Sequence, residues 1–259
     1  MNDVVTLAYG DDPSQFVELY LPEDRVTDGV AVIIHGGYWK SDYGCELGRP
    51  LAADLASRGV PAVNLEYRRQ GNGGGWPETF IDVAAALDSL GDLAHAYGFD
   101  LSKVVALGHS AGGHLAVWAA GRQHLPSGAP GAAADSAAFT PLTAVVSQSG
   151  VLNLDEAARL HLDDDAVTNF LRFDQSERAD LFAIADPTQH PPLEIPVYAV
   201  HTTEDDTVPV SQSADYVSRA LSLGSPAELH LTPGDHYVLI DVEHPAYHLC
   251  RRLVEQALL

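Results

Sequence analysis

Short β-rich runs alternate with helical stretches along the whole chain, and this alternation restricts the architecture more than any other feature. It predicts a mostly parallel sheet with helices on both faces. Val30–Ile34 is a continuous apolar run, as a strand buried on both faces requires. Around it, Val4–Ala8 and Phe16–Leu21 read as two opening strands about the turn Gly10-Asp11-Asp12-Pro13, and Pro61–Glu66, Val104–Leu107, Thr143–Ser147, Val197–His201 and Ala227–Leu231 bring the count to eight. Helices are expected over Gly48–Ser57, ending at Gly59, over Pro77–Tyr97, Ala111–Ala120 and Val242–Ala257. Gly71–Gly75 and most of Gly121–Pro141 read as loop. Leu152–Pro192 has polar helical pieces without strand pattern, and is expected as a small cap over the sheet edge. With no internal repeat and no long linker, residues 1–259 are expected to form one domain.

Composition removes several classes of function. A formal charge of −22 disfavours nucleic acid and anionic membrane as partners, because phosphate binding needs clustered Lys and Arg. No apolar run approaches the ~18–20 residues of a membrane span. The opening Met1–Thr6 has neither a basic head nor an apolar core, so a cytoplasmic location is expected. Cys45 and Cys250, at opposite ends of the chain, are expected as buried free thiols. The run Asp163-Asp164-Asp165 reads as a solvated loop or helix start; it lacks the spacing and the glycine of an EF-hand Ca²⁺ loop.

The chemistry centres on Gly108-His109-Ser110-Ala111-Gly112, a G-x-S-x-G sequence between a strand and a helix. A serine on so sharp a turn needs small neighbours, and the following helix N-terminus directs partial positive charge at the reacting centre. Ser110 is therefore the candidate nucleophile, and the Ala111 amide a candidate oxyanion donor. His35-Gly36-Gly37-Tyr38-Trp39 follows the buried strand, where the amides of Gly37 and Tyr38 are placed to complete an oxyanion hole; His35 is expected to brace that loop. A carboxylate should follow a late strand, and Glu204, Asp205 and Asp206 all stand after Val197–His201. His236 follows the turn Pro233-Gly234-Asp235, where a loop can swing it toward Ser110, whereas His230 lies within a strand and His244 and His248 at the closing helix. Trp39, Tyr43 and Trp76 fall in loops expected to wall the substrate pocket.

With these sites in place the chain resembles the α/β-hydrolase superfamily over nearly its whole length, in the order Ser110…acid…His236. The spacing to Val208-Pro209 favours Asp205 as the acid, with Asp206 the alternative; Thr202 departs from the glycine of the usual G-x-x-D. Within the superfamily, His35–Trp39, Gly108–Ala116 and Gly234-Asp235-His236-Tyr237 are similar to the arylformamidase (kynurenine formamidase) and small carboxylesterase branch, and Tyr38 replaces the third glycine of the lipase-type loop. The resemblance implies an acyl-enzyme reaction on a small-molecule ester or amide, with no metal and no cofactor. A prolyl-oligopeptidase-like peptidase and a non-catalytic binding protein are the alternatives. Oligomeric state is not legible in the chain.

Overall fold

In the computed structural model, described for residues 4–190 and 192–259, the opening hairpin pairs β1 (Val4–Ala8) with β2 (Phe16–Tyr20) antiparallel, Val4 opposite Tyr20 and Ala8 opposite Phe16. The first three residues of the N-terminal stretch, and Pro191 at the end of the expected cap, lie outside the described residues. There follow β3 (Val30–Ile34), α1 (Arg49–Ser57), β4 (Ala62–Leu65), α2 (Glu78–Asp88), α3 (Leu90–Tyr97), β5 (Val104–His109) and α4 (Ala111–Ala120). Then come β6 (Ala144–Gln148), α5 (Leu154–Arg159), α6 (Leu162–Leu171), α7 (Ala179–Ala185), β7 (Val197–Thr202), α8 (Ser211–Ser222), β8 (Ala227–Thr232) and α9 (Pro245–Leu258).

The eight strands form one sheet in the order β1-β2-β4-β3-β5-β6-β7-β8, parallel from β4 to β8. The chain leaves β3 for β4 on one side and then crosses to β5 on the other. This reversal creates a crevice at the carboxyl ends of β3 and β5, the place where an open α/β sheet binds ligands. The loop His35–Lys40 leaves β3 there, and Ser110 leaves β5.

The sheet has a core on each face because side chains alternate along a strand. Val30, Val32 and Ile34 join one core with Phe80, Leu115 and Trp118; Ala31 and Ile33 join the other with Leu51, Leu55, Tyr247 and Val254. Two expectations change. The stretch expected as one helix over Pro77–Tyr97 is α2 and α3, which meet at Ser89; this residue keeps helical angles and its amide bonds to the Ala85 carbonyl at 2.9 Å, while its hydroxyl donates to the Ala86 carbonyl at 2.7 Å. The insertion after β6 is less polar in effect than its composition. Leu154, Phe170, Leu171 and Phe182 are buried, and it packs on α4 instead of the sheet edge: Trp118 Nε1 donates to the Ile184 carbonyl at 3.0 Å and His114 Nε2 to that of Ala185 at 2.9 Å.

Candidate active site

Ser110 stands between β5 and α4 with φ 55° and ψ −121°, a left-handed conformation that a non-glycine residue adopts only at a cost of about 1–3 kcal/mol. Small neighbours make the turn possible. A Cβ on Gly108 would lie 2.2 Å from the Gly112 carbonyl oxygen, and one on Gly112 would lie 2.0 Å from that of Ile34. Ala111 is the first residue of α4, so its amide has no acceptor within the helix.

The β3 loop is bent by left-handed residues: Gly37 at φ 106°, Tyr38 at 46° and Trp39 at 57°. His35 braces its start, as expected. Its ring stacks on Tyr67 with centroids 4.4 Å apart, Nδ1 donates to the Gly36 carbonyl at 2.8 Å, and Nε2 lies 3.3 Å from Glu66.

Asp205 and His236 meet across the ends of β7 and β8. His236 Nδ1 donates to Asp205 Oδ2 at 2.7 Å, which leaves Nε2 as the proton acceptor. Oδ1 of Asp205 accepts from the amides of Val208 at 2.8 Å and Thr207 at 3.0 Å, and the Thr202 hydroxyl donates to Oδ2 at 3.3 Å. Burial alone would raise the carboxyl's pKa; the His236 hydrogen bond and charge, with the Val208 amide, outweigh it and hold the group well below the usual carboxylate range. Asp206 is exposed and takes only the neighbouring Thr207 hydroxyl, at 3.3 Å, so the geometry separates the two carboxylates that the sequence left open.

His109, inside the G-x-S-x-G sequence, packs on His236 with ring centroids 4.5 Å apart and donates from Nε2 to the His236 carbonyl at 3.0 Å. Burial, then the nearness of His236, push its pKa down to about 3, so it is a neutral spacer for the histidine backbone.

Gly37, Tyr38, Tyr43, Ser110 and His236 line one cavity of about 350 Å³. Ala111 is buried behind Ser110 and does not line it. Nor do the two tryptophans. Trp39 is fully buried, stacked on Phe170 at 4.6 Å and edge-on to His114 at 5.2 Å; Trp76 packs edge-on to Phe80 and Phe173. Both belong to the packing that holds the insertion, which corrects their expected place in the pocket wall. Tyr237, not among the residues expected in the wall, lines the cavity with Tyr43, Leu47 and Ile240. Lys40 and Asp163 also line it, joined by an ion pair of 2.6 Å, while the acidic run is exposed and lies at a helix start, as expected. Asp163–Asp165 open α6 with left-handed backbone angles. A larger open groove, about 740 Å³, lies by Tyr20, Val26 and Arg58; it has no histidine, and chemistry rather than volume picks out the smaller cavity.

A left-handed serine at the sheet's switch point, in one cavity with a histidine that bonds to an aspartate, the two carried after the last two strands, defines the α/β-hydrolase class, and this chain is a member of it. It belongs to the BD-FAE family, whose model matches residues 17–220. Esterase LipC of Mycobacterium tuberculosis is 26% identical over 88% of this chain and 58% of its own length. A probable isoprenylcysteine alpha-carbonyl methylesterase, ICMEL1 of Oryza sativa subsp. japonica, is 25% identical over 93% of this chain and 58% of its own. The chain thus spans less than two thirds of these curated relatives. Among solved structures, esterase B from Lactobacillus rhamnosis superposes with a TM-score of 0.81 at 23% identity, covering 98% of this chain and 84% of that one. These matches do not specifically carry the resemblance to arylformamidases. No helix among the described residues is long and apolar enough to cross a membrane.

Proposed function

We propose that the chain is a serine carboxylesterase acting through an acyl-enzyme on small esters with a short acyl group and an aryl or similarly flat leaving group. The observation that carries the reading is the 2.7 Å bond to the buried Asp205 side chain from His236 Nδ1, of a histidine that lines the same cavity as Ser110. Ser110 Oγ attacks the ester carbonyl carbon while His236 Nε2 takes its proton. The carbonyl oxygen becomes an oxyanion held by the amides of Gly37, Tyr38 and Ala111, each such donor contributing roughly 3 kcal/mol in the transition state. The tetrahedral centre collapses as His236 returns the proton to the leaving oxygen. Water, deprotonated by His236, then attacks the acyl-enzyme, and the carboxylic acid leaves as Ser110 regains its proton.

The leaving group departs beside His236, where Tyr237 and Ile240 line the cavity, and Tyr43 faces the same space. Such walls suit a flat apolar group. The cavity's volume of about 350 Å³ favours short acyl chains. The esterase relatives support an ester; the His35–Trp39 loop is the support for an aryl formamide such as N-formylkynurenine, which belongs in the same substrate panel. Two buried free thiols are in keeping with a cytoplasmic setting.

A fluorophosphonate should label the native protein covalently, and Ser110→Ala should abolish the label and lower turnover of p-nitrophenyl acetate by ~10⁴–10⁶-fold. Labelling that survives Ser110→Ala would overturn the assignment of the nucleophile.

A further inference from the structure

The side chain of Tyr38 reaches away from its own loop. Its hydroxyl donates to the Thr207 carbonyl at 2.7 Å, joining the loop after β3 to the loop after β7 although β5 and β6 lie between those strands. The bond falls on one particular peptide group. The carbonyl of Thr207 and the amide of Val208 belong to the same planar unit, and that amide donates to Asp205 Oδ1 at 2.8 Å. A continuous chain therefore runs from the phenol through the 207–208 peptide to the carboxylate, and from Oδ2 to His236 Nδ1 at 2.7 Å. Bonds in such a series polarise one another, and a rigid peptide plane transmits orientation as well.

The other end of the chain is equally placed. Tyr38 supplies one of the proposed oxyanion amides and holds φ 46°, with Trp39 next to it at 57°; such angles persist in non-glycine residues only where the surroundings over-determine them. Burial pushes the phenol's pKa up from its ordinary value, so the hydroxyl keeps its proton and remains a donor. A glycine at this position would leave the backbone free and provide no donor.

We infer that the Tyr38 phenol is a positioning residue: through the Thr207–Val208 peptide it sets the orientation of the Asp205 carboxylate, and so ties the general base to the oxyanion loop. The inference rests on the serine-esterase reading given above. A pocket-wall role for the ring is the competing account, since Tyr38 also lines the cavity.

Tyr38→Phe separates them, because it keeps the ring and the backbone amide and removes only the hydroxyl. If the phenol positions Asp205, kcat for p-nitrophenyl acetate falls roughly tenfold, inside the ~10²-fold that an ångström of misplacement costs, while KM stays within about twofold. The rate of fluorophosphonate labelling falls in parallel, and the low-field proton resonance of His236 Nδ1–H moves upfield. A raised KM with unchanged kcat, or an unmoved resonance with full labelling rate, would overturn the inference and leave Tyr38 a wall. Failure of the native protein to label would instead remove the serine-esterase reading, and this inference with it.

Discussion

Asp205 and Asp206 carry the same side chain one position apart, and their surroundings differ. Asp205 is enclosed by Val208, Thr207, Thr202 and His236, whereas Asp206 faces solvent. Asp205→Asn should lower kcat about 10⁴-fold by removing the acceptor that fixes the imidazole tautomer. Asp206→Asn should cost less than about threefold, since an exposed carboxylate away from the reacting atoms contributes little. Steady-state kinetics on the two variants checks this, and a reversal would move the acid to Asp206. Ser110 and His236 were legible in the sequence because a sharp strand–helix turn and the chain order leave few places for them. Asp205 was legible only to within one residue. Thr202 departs from the glycine of the usual G-x-x-D, which counted against Asp205 as the acid; in the fold its hydroxyl is a donor to that carboxylate. Trp39 and Trp76 were misread for a definite reason. An aromatic residue in a loop beside a crevice can face either way, and nothing in composition or spacing reports the backbone angle of 57° that accompanies the burial of Trp39.

At the scale of elements, the strands were read to within a residue or two because alternation and apolar runs report burial directly. The insertion was misjudged because its apolar residues, the run Leu181–Ala185 among them, fall in short helical pieces set between acidic and basic residues, and so give no long periodic stripe. They do the packing: Phe170 stacks on Trp39, and its carbonyl accepts the Trp76 amide at 3.0 Å, so one residue ties the insertion to two loops of the main fold. Phe170→Ala should cost about 3–5 kcal/mol by opening a cavity in that aromatic cluster. Urea denaturation would measure it, and a loss below about 1 kcal/mol would show that the insertion closes over the gap. Lys40→Met should be far milder, since its pair with Asp163 is partly exposed and such pairs contribute about 0–1 kcal/mol.

For the whole molecule, buried histidines set the response to acid. His109 is pushed down to about 3 and His114 to about 4, each mainly by burial, and burial also lowers His190 and His201. Unfolded, each would titrate near 6.5. Between those values the unfolded chain binds more protons than the folded one, so stability falls as pH falls from about 6.5 toward 4. Each group contributes a slope of up to about 1.4 kcal/mol per pH unit once well below its unfolded value. Thermal melts from pH 7 to pH 5 should show a steady drop in Tm, reduced in His114→Gln if the fold accepts the amide; a flat profile would contradict the neutral buried histidines.

Both thiols of the chain are buried, Cys45 at 2% exposure and Cys250, inside the second core, at 0%, and burial pushes each up to about 12. Neither is therefore open to a thiol reagent while the fold holds. Ellman's reagent should count no sulfhydryl in the native protein and two after denaturation. The wild-type background is then already silent toward maleimides, and cysteine-free engineering is unnecessary. A single cysteine placed at Leu221, 56% exposed on α8, or at Tyr237, 60% exposed at the cavity mouth, becomes the sole handle for a fluorophore. The second of these would put the dye where an arriving substrate must displace it or change its surroundings, turning the molecule into a reporter of its own occupancy.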